Sequence, residues 1–204
     1  MKYLPDKRRF FLMLSGIVGM GIFLSFIINV DYGTDTCVFF NMAISNRIHL
    51  TYGTTFLLTN AIMFIPELIF ERRLIGLGTV FNMVLVGYIS DLCRFLEEKF
   101  LPPSVFVQQP SRTIIFILAM IPFLISMALY MNADTGVSPF DAMAIIISHR
   151  TRLPFVPVRM GWDFLMIAIG MLLGRTLTIG TVVMALTLGP VCGFIGKKLK
   201  KVTG

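Results

Sequence analysis

Six stretches of about twenty residues, almost free of charge, divide the chain at roughly 10–30, 51–70, 75–92, 113–132, 157–174 and 177–196. A helix rises about 1.5 Å per residue, so a run of about twenty apolar residues crosses a hydrocarbon core of about 30 Å. Inside lipid every backbone N–H and C=O must be satisfied within the protein, which makes such runs helices. Charged residues make up only 14% of the chain, against about 25% in soluble domains, and this excludes a large water-soluble core. The expected fold is an all-α membrane protein with six transmembrane helices, and the lipid bilayer is its first partner. The run after the basic start is too long for a signal-peptide core, and no small-x-small cleavage site follows it, so it reads as an uncleaved first span.

The net charge of +7 does not imply nucleic acid, because the basic residues stand in clusters at the ends of the apolar runs, such as Lys7-Arg8-Arg9 and Arg72-Arg73. Lys and Arg collect at the cytoplasmic ends of membrane helices. With the N-terminus inside, thirteen basic residues fall on the inner side and five (Arg47, Arg94, Lys99, Arg112, Arg175) on the outer. That places both termini in the cytoplasm. The proline-containing stretch 93–112 reads as an extracytoplasmic linker, with a helical start around Arg94 to Lys99, between halves at 1–92 and 113–204.

The halves resemble each other. Residues 31–50 align without a gap on 134–153, with Asp31/Asp134, Gly33/Gly136, Ile44/Ile147, Ser45/Ser148, Arg47/Arg150 and Leu50/Leu153 identical. A shift shorter by one residue pairs Arg73/Arg175, Gly78/Gly180, Thr79/Thr181, Val80/Val182 and Gly87/Gly189. Each half then holds three spans, and an odd number turns the second copy upside down in the bilayer. Inverted repeats are a plan of transporters, with a site near the midplane between the copies.

After each Asp-x-Gly turn come about twelve residues, TCVFFNMAISNR and PFDAMAIIISHR. A helix of that length is about 18 Å long, too short to cross. Two placements are open: flat at the interface, or dipping inward as a re-entrant half-helix. The segments are apolar all round, which favours burial. Ser138-Pro139-Phe140-Asp141 has the form of a capping box, and Asp35 or Thr36 can cap the first copy. Asp31 and Asp134 suit either plain turn chemistry or the lining of a wet cavity.

Asp163 lies inside the fifth span, where a charge should face protein or water; Arg159 stands one turn earlier and can neutralise it. Asn60 occupies a similar depth in the first copy. Glu67 is expected to snorkel towards the inner surface beside Arg72. Arg73 and Arg175 read as interface anchors ahead of substrate contacts. Small-residue pairs such as Ser15/Gly19 and Gly170/Gly174 suit close packing within the bundle, with a homodimer face as the second reading. No catalytic motif of the HExxH, GxSxG or phosphate-loop type is present, and Cys37, Cys93 and Cys192 with two histidines form no metal pattern. Neither enzyme activity, a metal nor a cofactor is expected.

The stretch DTGVSPFDAM, followed by LLGRTLTIGTVVMALTLGPVCGF, resembles the bacterial YczE/YyaS/YitT family of multi-pass membrane proteins over nearly the whole chain. The first copy departs from that pattern, with Thr36-Cys37-Val38 in place of Pro139-Phe140-Asp141. The resemblance implies a bacterial integral membrane protein and no particular substrate. The combined expectation is a small-solute or ion transporter or channel of the inner membrane. Its candidate substrate-binding residues are Asp31, Gly33, Asp35, Asn60, Asp134, Gly136, Ser138, Asp141 and Asp163. The alternative is a non-transporting membrane partner that assembles with or regulates another protein.

Overall fold

The structure is a computed structural model, and it describes residues 6–184. The order is α1 (Lys7–Val30), α2 (Thr36–Ile48), α3 (Tyr52–Phe70), a 3-10 turn at Arg72–Leu74, α4 (Leu77–Phe100), α5 (Ser104–Val107), α6 (Ser111–Asn132), α7 (Pro139–Thr151) and α8 (Phe155–Leu172). Among the described residues five helices, α1, α3, α4, α6 and α8, are long and apolar enough to cross a membrane. Of the sixth expected span, 177–196, residues 177–178 are non-helical, 179–184 is helical, and 185–196 lies outside the described residues.

The first span forms the centre of the molecule, where Met13, Ile17, Leu24 and Ile27 are almost wholly buried. α1 and α6 run antiparallel. Arg9 meets Asp134 at 3.3 Å near one end, and Arg112 Nε donates to the Val30 carbonyl at 2.9 Å near the other. Midway, a β-carbon on Gly16 would stand 2.7 Å from both the Ser126 carbonyl and the Tyr130 nitrogen, so the two backbones touch because glycine leaves room. α4 packs on α1 and α3. Outer faces remain apolar: Ile62 and Ile69 of α3, Leu118 of α6 and Phe164 of α8 are exposed, as a lipid-facing surface requires.

α4 runs on to Phe100, eight residues beyond the expected end at 92. The cause is polar and internal. Glu97 is buried, accepting hydrogen bonds from Ser25 and from Asn29 Nδ2 (2.6 Å), while Arg94 Nε donates to Asn29 Oδ1 at 2.9 Å. The charges that end the apolar run therefore keep the helix seated on α1. It stops at Leu101, ahead of Pro102-Pro103, which cannot continue it.

The two short helices dock crosswise: α2 lies against α8, and α7 against α3. At the far end of the second pair, His149 Nδ1 meets Glu71 Oε1 at 2.8 Å, and this hydrogen bond holds the Glu71 carboxyl below its usual range. Positions 103 apart adopt the same conformations. Asp31 and Asp134 are left-handed at φ 48° and 52°, as are His49 and Arg152 at 56° and 57°. Ser45 and Ser148 donate to the carbonyls of Leu50 and Leu153 at 2.6 and 2.8 Å.

Candidate functional site

Both short helices begin with a side chain that accepts from the backbone one turn on. Asp35 Oδ1 takes the Val38 N–H at 3.1 Å, and Ser138 Oγ takes the Asp141 N–H at 3.4 Å, with Pro139 at the first helical position. These starts reach deep between the long helices. Thr36 Oγ1 donates to Asp163 Oδ1 at 2.7 Å, and Asp163 lies halfway along α8. Phe140 packs near Trp162 and shares a cluster with Phe40 and with Met166 of α8, against which Met63, in the middle part of α3, also packs.

The starts face a cavity of about 580 Å³. Asp35, Thr36 and Cys37 line it from α2, Ser138, Phe140 and Asp141 from α7, and Arg159 and Asp163 from α8. Apolar and aromatic groups from α1, α3 and α6, such as Met20, Tyr52 and Phe123, with Asn82 and Val86 of α4 and Asn132 of α6, complete it. Lining residues that reach the outside are Met131 of α6 and Phe155, Val156 and Met160 of α8. Arg159 ties the charges together: Nη1 donates to Asp141, and Nε donates to Asp163 at 3.1 Å. Three carboxylates and one guanidinium thus surround one space, the geometry of a small-molecule pocket with few convergent polar groups.

Of the residues singled out in the sequence, Asp35, Ser138, Asp141 and Asp163 lie on this lining. Asn60 is buried in α3, off the lining, with Nδ2 donating to the Phe56 carbonyl at 2.8 Å. Asp31 and Asp134 stand at opposite ends of the α1–α6 pair, about two-thirds exposed, paired with Arg175 at 2.8 Å and with Arg9 at 3.3 Å. Asp31 borders a separate polar cavity of about 190 Å³ with Arg175, Thr178 and Thr181. Gly33 and Gly136 are backbone joints. A β-carbon on Gly33 would lie 2.1 Å from the Thr181 nitrogen, and one on Gly136 would lie 2.5 Å from Thr79 Oγ1. Each Asp-x-Gly turn therefore rests on the Gly-Thr start found in the other half. Thr34 N–H donates to Thr181 Oγ1 (3.2 Å), and Gly78 N–H to the Thr135 carbonyl (2.9 Å).

The sequence marked Thr36 only as a possible cap and Cys37 only as an isolated cysteine, not as lining residues, and it gave no sign of Tyr52 or of the bridge from Arg159 to Asp141. For Thr36 and Cys37 the signal was their place right after a cap. For the bridge, 18 residues long in sequence, there was none. Glu67 also differs from expectation: its side chain is wholly buried rather than turned to the surface. It lies four residues before Glu71, whose backbone N–H donates to the Glu67 carbonyl at 3.0 Å.

A bundle of long apolar helices, here around a largely apolar cavity with one charged cluster, defines an integral membrane protein. The chain belongs to DUF6198, a family of unknown function, which it matches over residues 7–197. It is similar to an uncharacterized protein of Haemophilus influenzae, at 26% identity over 141 residues, which is 69% of this chain and 61% of that protein. The chain thus matches less than two-thirds of that relative's length. No solved structure matches it.

Proposed function

We propose that the protein is a small-solute transporter or channel of the bacterial cytoplasmic membrane, with its site in the cavity between the starts of α2 and α7. In this reading the chain makes six crossings as two inverted three-span copies, with both termini cytoplasmic and α2 and α7 as re-entrant half-helices. The reading extends the resemblance to the YczE/YyaS/YitT proteins. The observation that carries it is the meeting of two capped helix starts and a four-charge cluster around about 580 Å³ at the mid-length of the neighbouring spans. Irregular backbone and charges at such depth are stable where they border water or protein. Crosswise docking of α2 on α8 and α7 on α3 adds support, because a two-fold relation between copies produces such reciprocal pairs.

Cys37 provides the test, since it lines the cavity. In a variant with Cys93 and Cys192 changed to Ser, small water-soluble methanethiosulfonates should modify Cys37 in sealed vesicles. A thiol that resists both cationic and anionic reagents in membranes, yet reacts after denaturation, would mean a dry interior and defeat the proposal.

A further inference from the structure

The cavity's charges are unequal in sign, and that imbalance bears on what it holds. Asp35, Asp141 and Asp163 face it against Arg159. Arg159 is already engaged by Asp141 and Asp163 through two of its nitrogens, so an anion would have to displace a carboxylate to reach it. Helix starts ordinarily attract anions through free N–H groups. Here Asp35 and Ser138 occupy that role at both helices, and Asp141 adds a negative charge to the first turn of α7.

A second observation points the same way. Tyr52 is 1% exposed, lines the cavity, and its hydroxyl has no hydrogen-bond partner. A buried hydroxyl without a partner costs free energy that a ligand N–H can restore. Aromatic residues also line the cavity, Phe56, Phe123, Tyr130 and Phe140, and the Arg159 guanidinium already sits 5.8 Å from the Phe140 centroid. Rings of this kind attract ammonium groups. Among the described residues no three His, Cys, Asp or Glu converge to hold a metal ion, and about 580 Å³ is the size of an organic solute's pocket.

We infer that the cavity takes an organic ammonium ion, its charge set against the Asp35/Asp163 side and its apolar body among the rings. The inference rests on the transport reading of the same cavity and adds the sign and class of the solute.

Two measurements on the full chain in vesicles test it, with Cys37 the sole cysteine. The first compares a trimethylammonium-ethyl with a sulfonato-ethyl methanethiosulfonate. Relative to a free thiol in solution, Cys37 should favour the cationic reagent by at least about tenfold. The second is protection of Cys37 by phenethylammonium, tetramethylammonium, phenylacetate or 2-phenylethanol. The two ammonium ions should slow labelling and the other two should not. Tyr52→Phe, which removes only the hydroxyl, should raise the half-protecting concentration of phenethylammonium several-fold. Asp163→Asn should raise it further, and Asp163→Glu should restore it in part. Equal or better protection by phenylacetate or phenylethanol, or none by either ammonium ion while Cys37 still labels, overturns the inference and leaves the wet cavity standing. Failure of Cys37 to label at all removes the transport reading itself.

Discussion

Gly33 and Gly136 hold the backbone at φ 138° and 127°, a region that side chains avoid, and each lies against the backbone or hydroxyl of a Gly-Thr helix start. Gly33→Ala and Gly136→Ala should each lower stability by roughly 1–3 kcal/mol from strain alone, with the contact adding to it. Thermal unfolding in detergent reads the loss. Gly161→Ala is the control: nothing lies within 4 Å of its β-carbon position in α8, so the midpoint should hold or rise. Arg159→Met strips Asp141 and Asp163 of their shared cation and should destabilise by on the order of 2 kcal/mol. Adding Asp163→Asn to it should recover part of that loss, because one of the stranded charges goes with it. At this scale the sequence disclosed types more readily than partners. Ser138 and Asp35 were readable as caps because capping is local. Asp141 and Arg159, by contrast, meet only because α7 and α8 fold back on each other.

The helices themselves were the most legible part of the chain. Apolar run length marked α1, α3, α6 and α8 to within about three residues of their bounds, since lipid thickness sets that length. α4 ran past its apolar stretch because Glu97 is held by Ser25 and Asn29, and Arg94 by Asn29. The lengths of α2 and α7 could be counted, but the long helix each docks on could not. A cross-link should report that docking. With Glu71 and His149 replaced by Cys in a background free of other cysteines, a short bifunctional maleimide should join α3 to α7. A protease site inserted between Pro102 and Pro103 would then cut unlinked chains in two and leave linked ones as a single band. A complete cut under linking conditions would show that the Glu71–His149 contact does not hold in the membrane.

For the molecule as a whole, the count of crossings decides sidedness. An even count, as proposed, puts tags at the two termini on one face of the membrane. Protease protection in oriented vesicles should find both tags digested, or both shielded, together. Opposite fates would remove the six-crossing topology while leaving the cavity chemistry untouched. The bundle also differs at its two ends. Arg175 grips Asp31 with its side chain nearly buried, whereas Arg73, its counterpart in the alignment of the halves, is 88% exposed beside Glu71 and leaves Asp134 to Arg9. Arg175→Gln should therefore increase reactivity at a cysteine placed near Asp31, and Arg73→Gln should change little at Asp134.

Each acidic bend is seated on a groove that the opposite half supplies, in the manner of a dovetail joint. A half expressed alone would carry both a tenon without a mortise and a mortise without a tenon. Cutting the gene within 93–112 should thus yield two pieces that are degraded singly and survive when made in the same cell. A single-copy ancestor with this joint would have been obliged to pair with a second molecule of itself.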